Sequence, residues 1–418
     1  MPPLRASPRL FVPLVAVALA AACSDDPAAP ADDPSTAMTT PKLLGVRGQG
    51  AVTARYTAEL STLFDTRGSF AYTSTWGRRT GASCAATNCG NVVYVWNVAG
   101  ATPRVVDSLV TNDVSLTTTT GDVQVSDDGK LLVVATEPTG YLVTYSLADP
   151  AHPTLVSRYT TPDLTSGVHT AQLSRVNGKL YAFCSIDPRG TTRAMLVIVD
   201  LSNPAAPQQI YARVMGNPYV HDVFVRDGFL FTALWNDGVT IWDIGGRGRG
   251  TPAAPDSLGN VRTVNGQVHN IWWYKDASGA QRYAFVGEEG PGQIGASASG
   301  DVHVIDVSDP TKPREVAFFG VTGAGTHNFS VDEARGVLYA AYYNAGVRAI
   351  DVRGDLSTCT TAQRAPDGRC DLAKMGRELG RALTDRGPVY VWGVEYTNGT
   401  LFASDMLNGL WSLDPIVR

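Results

Sequence analysis

One strand-like segment recurs along this chain, and its recurrence limits the fold more than any other feature. It reads LVIVDLSNPAAP at 196–207, VTIWDIG at 239–245, VHVIDVSDPTKP at 302–313 and VRAIDVRG at 347–354. Weaker copies are VVYVWNVAGATP at 92–103, YLVTYSLADPAHP at 141–153 and LWSLDP at 410–415. The seven copies are spaced irregularly, 43 to 63 residues apart. Each is a run of apolar β-formers broken by Asp, Asn and Pro turn chemistry. A repeat of this length in strand-rich sequence is the mark of a propeller. The 42 glycines and 25 prolines, above an ordinary share of about 12%, supply the turns such a fold needs.

A second landmark sets the strand order. A Gly-containing turn precedes each copy: DTRG, DDG, NG, DG, DASG, EARG and NG, the first at 65–68 and the last at 398–399. Each turn parts an earlier apolar strand from a later one, and a Pro-rich turn after the Asp leads to a fourth. The unit is therefore four antiparallel strands, A to D. Seven units predict an all-β fold, a seven-bladed β-propeller over 42–418. The last unit shows only three strands, and PKLLGVRG at 41–48 repeats the pattern of PREVAFFG at 313–320. Residues 42–48 are expected to complete the last blade as an N-terminal clasp beside residues 410–413, removing the open edges of an unclosed array. The stretch 371–384 (DLAKMGRELGRALT) has a helical look and is placed between strands C and D of unit six.

The LVIVDLSNPAAP strand, its relative VIDVSDPTKP, and the YYNAGVRAIDV, HDV and HNF elements resemble the LVIVD-repeat proteins of bacterial surfaces. The resemblance runs over nearly the whole of the chain after its first 40 residues. It implies the propeller fold and leaves activity open, because propellers host many functions.

The first 22 residues read as a signal peptide: Arg5 and Arg9 precede a 10–22 apolar run too short for the ~20 residues of a spanning helix. The junction LAAAC resembles a bacterial lipobox, with Ala20 where Leu is commonest. That resemblance implies lipidation of Cys23 and, because Ser24 is not Asp, favours the outer membrane. Residues 23–41 are too poor in large apolar side chains to fold and form a tether. With a net charge of −5, the chain has no global field for nucleic acid, so no nucleic-acid partner is expected. In an exported chain the local pairs Cys84/Cys89 and Cys359/Cys370 are plausible disulfides, and Cys184 sits in an apolar strand.

Four of the six histidines occupy one repeat position, the start of strand A: His169, His221, His269 and His327. Gly121 and Trp392 stand there in two other units, and unit one is ambiguous near Leu60. First strands are innermost in a propeller, so these side chains should converge on one mouth of the central channel. An imidazole there can cap a neighbouring blade by bonding its backbone, or it can bind a metal. The B–C loops share that face and carry Glu137, Asp187, Asp237, Glu288, Glu289, Asn344 and Asp405. The two longest span 77–90 and 287–300. Copper or zinc would be the guest of His169, His221, His269 and His327 with Glu288. Trp392, Asp405, Asn344 and Asp237 are candidate ligand-binding residues of the mouth. The other tryptophans of the strand repeats are expected to pack between blades. No GxSxG, HExxH or EF-hand spacing occurs.

Two functions fit this sequence. One is a membrane-anchored binding or scaffold module whose partner is an extracellular or periplasmic protein or carbohydrate. The other is an exported metal-dependent enzyme, redox or hydrolytic.

Overall fold

The repeats fold into seven four-stranded antiparallel blades, described by the computed structural model over residues 40–79, 92–111 and 119–417. The first strands are Arg55–Asp65, Thr119–Val125, Val168–Val176, Asp222–Arg226, Val268–Trp273, Phe329–Asp332 and Val391–Thr397. Each touches the first strands of both neighbouring blades, so the seven close a ring about the axis. Among the described residues no helix is long and apolar enough to cross a membrane.

The Asp that ends each strong repeat has a local task. Asp200 accepts from the Ser202 N–H at 2.8 Å, Asp306 from Ser308 at 3.1 Å and Asp351 from Arg353 at 3.1 Å. Asp243 takes four backbone N–H groups, from Gly245, Arg247, Arg249 and Gly250. These are Asx turns, in which a short carboxylate replaces the lost ladder partner and turns the chain toward strand D.

Apolar alternation then stacks the blades. The core is divided among blade interfaces: Leu63, Tyr72, Val95, Val123, Val134 and Tyr145 fill the one between blades one and two. Tyr94, Trp96, Phe402 and Leu410 fill the one between blades one and seven, which seals the ring. Trp96, Trp242 and Trp411 are buried in such interfaces. Each indole N–H reaches a polar partner: Thr73, Thr232 and Asp405 respectively. This is what burying an indole requires.

The clasp forms, displaced toward the C-terminal side of the expected segment. Strand Val46–Gly50 lies antiparallel to Gly409–Leu413, with Val46 opposite Leu413 and Gly50 opposite Leu410. Residues Lys42–Leu43 instead pair in parallel with Glu378–Ala382 on the outer edge of blade six. One short segment thus completes blade seven and covers an edge of its neighbour.

The helical look of 371–384 is overruled by strand pairing. Its second half, Glu378–Ala382, is the fourth strand of blade six, with Ala349 opposite Gly380. Its start, Cys370–Asp371, runs parallel to Arg314–Gly320 and covers the edge of blade five. A free blade edge offers ladder hydrogen bonds that outweigh a weak intrinsic preference. Cys359 and Cys370 are joined by a disulfide. Cys84, Cys89 and Cys23, with the signal and most of the tether, lie outside the described residues.

Candidate functional site

The site is built where the first strands begin. In blades one, two, three, five and seven the A–B ladder shifts register at this level. Such bulges re-aim side chains at the rim of a closed sheet. In blades four and six the histidine precedes the ladder, held by its N–H donating to the carbonyl of Ala233 (2.8 Å) or Ala341 (2.9 Å).

The four histidines meet. Ring centroids are 4.4 Å apart from His169 to His221, 4.2 Å from His221 to His269 and 4.0 Å from His269 to His327. Trp392 continues the series 4.2 Å from His327. Trp76, from the end of strand B in blade one, closes it at 5.6 Å from Trp392 and 5.9 Å from His169. Six aromatic rings therefore form a closed iris across the channel. The iris needs Trp76 because blade two can contribute nothing at its own position. A Cβ on Gly121 would stand 2.5 Å from the His169 carbonyl oxygen.

On the mouth side of the iris, His169 Nδ1 is 2.9 Å from Glu137 and 3.8 Å from Asp187. Arg189, nearly half exposed, holds the other oxygen of Glu137 at 2.8 Å. Burial alone would lower the His169 pKa, but Glu137 and Asp187 overcome it and push it up to about 10. Burial, and then another imidazole of the ring in each case, hold His221, His269 and His327 well below the usual value. The iris thus holds one imidazole biased toward its cation and three biased toward the neutral form. Glu289 lies at the same level, its carboxylate accepting from the Tyr343 hydroxyl at 2.5 Å. One ligand atom from each of His221, His269 and Glu289 lies within 4.8 Å of the others, and the same is true of Glu137, His169 and Asp187.

Two aromatics reach the mouth through unusual backbone. Trp235 and Tyr343 stand two residues beyond the second strands of blades four and six, with φ of +54° and +37°. A bulky residue there is a conformational outlier, and such strain gathers at functional sites. Trp235 stacks on His221 at 5.1 Å, and Tyr343 stands edge-on to His327 at 5.3 Å.

On the lumen side of the iris lies a cavity of about 430 Å³ whose walls include Glu59, Asp122, Asp222 and Glu395. Glu59 takes the unit-one position beside Leu60, accepting from the Trp392 indole at 2.6 Å and from the Asn328 amide. Burial raises Glu59 well above its ordinary value, raises Asp122, and pushes Asp222 up to about 7. Burial and mutual repulsion both favour the protonated forms of these carboxylates.

The remaining expected site residues go elsewhere. Glu288 does not join the histidines: its fully buried carboxylate accepts from the Asp301 N–H at 3.2 Å and sits 3.7 Å from His303, inside blade five. It is the last residue of strand Tyr283–Glu288, and strand alternation turns it inward while Glu289 turns to the mouth. Asp405 is consumed by four donors, the N–H groups of Tyr390 and Leu407, the Asn408 amide and the Trp411 indole. Asp237 pairs with Arg262 at 3.2 Å, and the Asn344 amide donates to the Gly323 carbonyl at 3.3 Å. Cys184 is buried, and burial pushes its thiol up. Trp76, Glu59 and Arg189 escaped the sequence reading. The paired turns LWNDG and YYNAG, each with an aromatic directly before Asn, were the signal for Trp235 and Tyr343.

The LVIVD repeat family matches residues 191–211, 218–263 and 296–319. The chain carries LVIVD repeats. They map to the outer strands of blades three and five and to all of blade four. Among solved structures, this LVIVD-repeat propeller is similar to the crystal structure of the C-terminal WD40 domain of Sif2. The TM-score is 0.56, with 9% identity, over 90% of this chain and 100% of that one. At that identity the likeness concerns the fold alone. No curated protein matches the chain.

Proposed function

We propose that this LVIVD-repeat propeller is an exported, lipid-anchored binding module of a bacterial envelope, outer membrane favoured. Its mouth face would receive an extracellular or periplasmic protein or carbohydrate. The observation that carries the reading is the closed iris. Six rings at 4.0 to 5.9 Å turn the channel end into the floor of a cup. Arg189 over Glu137, with Trp235 and Tyr219 beside His221, gives that cup a charged wall and an aromatic one. Aromatic and Arg side chains on a rigid frame are the usual anchors of recognition. The three imidazoles His152, His169 and His303 each hydrogen-bond a carboxylate, not a hydroxyl or thiol nucleophile.

The test pairs localisation with binding. Cys23→Ser should move the protein from the membrane to the soluble fraction. On a panel of envelope glycans and proteins, Arg189→Glu and Trp235→Ala should each weaken a wild-type interaction at least tenfold. Lys130→Glu, in an A–B turn on the opposite face, should not. Equal losses from both faces, or no interaction at all with the folded protein, would reject the mouth as the binding surface. The second reading, an exported metal enzyme, draws on the grouping of His221, His269 and Glu289. It requires metal-dependent turnover of an envelope substrate that is lost when Glu289 becomes Gln.

A further inference from the structure

We infer that His221, His269 and Glu289 form a site for one first-row divalent transition-metal ion at the propeller mouth. The inference goes beyond the binding reading, which needs no metal. Each of the three contributes a ligand atom within 4.8 Å of the other two. Tetrahedral ligands about 2.1 Å from zinc stand roughly 3.4 Å apart. Side-chain rotations that move each atom by about an ångström would therefore close the site.

The surroundings point the same way. The Nδ1 atoms of His221 and His269 are buried with no hydrogen-bond partner, and His269 is only 3% exposed. A buried polar atom is normally paired, so an orphan demands an explanation. A metal ion is one that fits two adjacent imidazoles. The Glu289 carboxylate is already oriented, because Tyr343 donates to one oxygen and leaves the other for an ion. Metal-ligating carboxylates are commonly held in this way. Two imidazoles and a carboxylate suit zinc and its neighbours in the series, and three protein ligands leave a coordination position open.

The adjacent trio of Glu137, His169 and Asp187 is of similar size but differs in chemistry. Both Glu137 oxygens are engaged, one by His169 and one by the Arg189 guanidinium. An ion there would have to displace a cation and break a carboxylate–imidazole pair. That trio is therefore a positioning group: it holds the His169 ring edge-on against His221. Glu288, inside blade five, takes no part.

The experiment uses the full chain without a His tag, stripped with chelator and titrated with zinc chloride against a chromophoric competitor. One zinc per chain is expected. His221→Gln and Glu289→Gln should each weaken zinc at least tenfold, while Glu288→Gln and Lys130→Glu stay within twofold. Cobalt chloride should produce a visible ligand-field band on the wild type that the first two variants lose. X-ray absorption of the zinc-loaded wild type should show two imidazoles and a carboxylate. This keeps the idea testable if a variant does not fold. No stoichiometric zinc in folded wild type, full affinity in both ligand variants, or a shell without two imidazoles would each overturn it. Partner binding measured on stripped protein separates the two readings. If it survives while zinc fails to bind, only the metal site falls.

Discussion

Blades three to six and blades seven, one and two meet the channel in different ways. The first arc places a histidine at the innermost position of every blade, with centroids 4.0 to 4.4 Å apart. The second places Trp392, Glu59 and Gly121 there and borrows Trp76 from another strand. The first arc leaves three Nδ1 atoms without a hydrogen bond, on His221, His269 and His327, the last 3.8 Å from Glu59. In the second, Trp392 and Glu59 satisfy each other at 2.6 Å. The same backbone position thus gathers imidazoles on one side of the ring and serves closure on the other. The closing arc is also where the two ends of the fold meet in blade seven.

If that division holds, the largest stability loss comes from the closing arc. At Gly48 a Cβ would stand 2.6 Å from the Ala101 carbonyl oxygen and 2.8 Å from the Thr102 Cα. Gly48→Val should therefore force the clasp off blade seven and cost about 3 kcal/mol or more. Urea unfolding should show one cooperative transition at lower midpoint. A separate early transition would mean the clasp only frays and does not close the ring.

Next in size is Trp392→Ala, expected to cost about 3 kcal/mol by opening a cavity and stripping Glu59 of its indole donor. His269→Ala should cost roughly a third of that, about 1 kcal/mol, because its Nδ1 has no partner to lose. Equal losses in the same unfolding assay would erase the distinction between the arcs.

Two smaller effects carry opposite signs with pH. In blade six, burial alone would raise Glu378, but Arg381 at 2.6 Å and Arg348 at 3.0 Å hold it below the usual range. A depressed folded pKa gives stability that is present above the unfolded value of about 4.3 and lost as pH falls through the folded one. Glu378→Gln should cost about 1.5 kcal/mol at pH 7 and progressively less toward pH 3. In blade seven, burial pushes Glu395 up to about 7, against a 2.6 Å hydrogen bond from Thr62. A raised carboxyl pKa makes the folded form hold the proton longer, so its contribution falls between about pH 4 and pH 7. Glu395→Gln should accordingly be less destabilising at pH 8 than at pH 4. Parallel pH dependence of the two variants, measured by denaturant unfolding, would contradict both assignments.

The sequence was most readable where the signal was local and repeated. The Asp-ended strand carries its own turn chemistry, so its recurrence exposed the blade number, the strand order and the level of the histidines. It failed where one residue of register decides the outcome. Glu288 and Glu289 have the same side chain, yet alternation sends the first to His303 and the second to the mouth. Blade one hid Glu59 because its first ladder shifts register twice, between Arg55 and Thr57 and again before Leu60. Trp76 was invisible as an iris member because it fills a place vacated by another blade.

What the sequence determined by itself is the set of blades, since apolar period and Asx turns act over a few residues and need no distant partner. The tertiary structure decided which side chains share a space. The outer edges of blades five and six selected Cys370–Asp371 and Lys42–Leu43 as added strands. Ring closure brought blade one's Trp76 against blade seven's Trp392 and blade three's His169. Such meetings depend on where a closed ring of seven sheets places its innermost residues. No local pattern encodes that, because the contacts span 93 to more than 300 positions of chain.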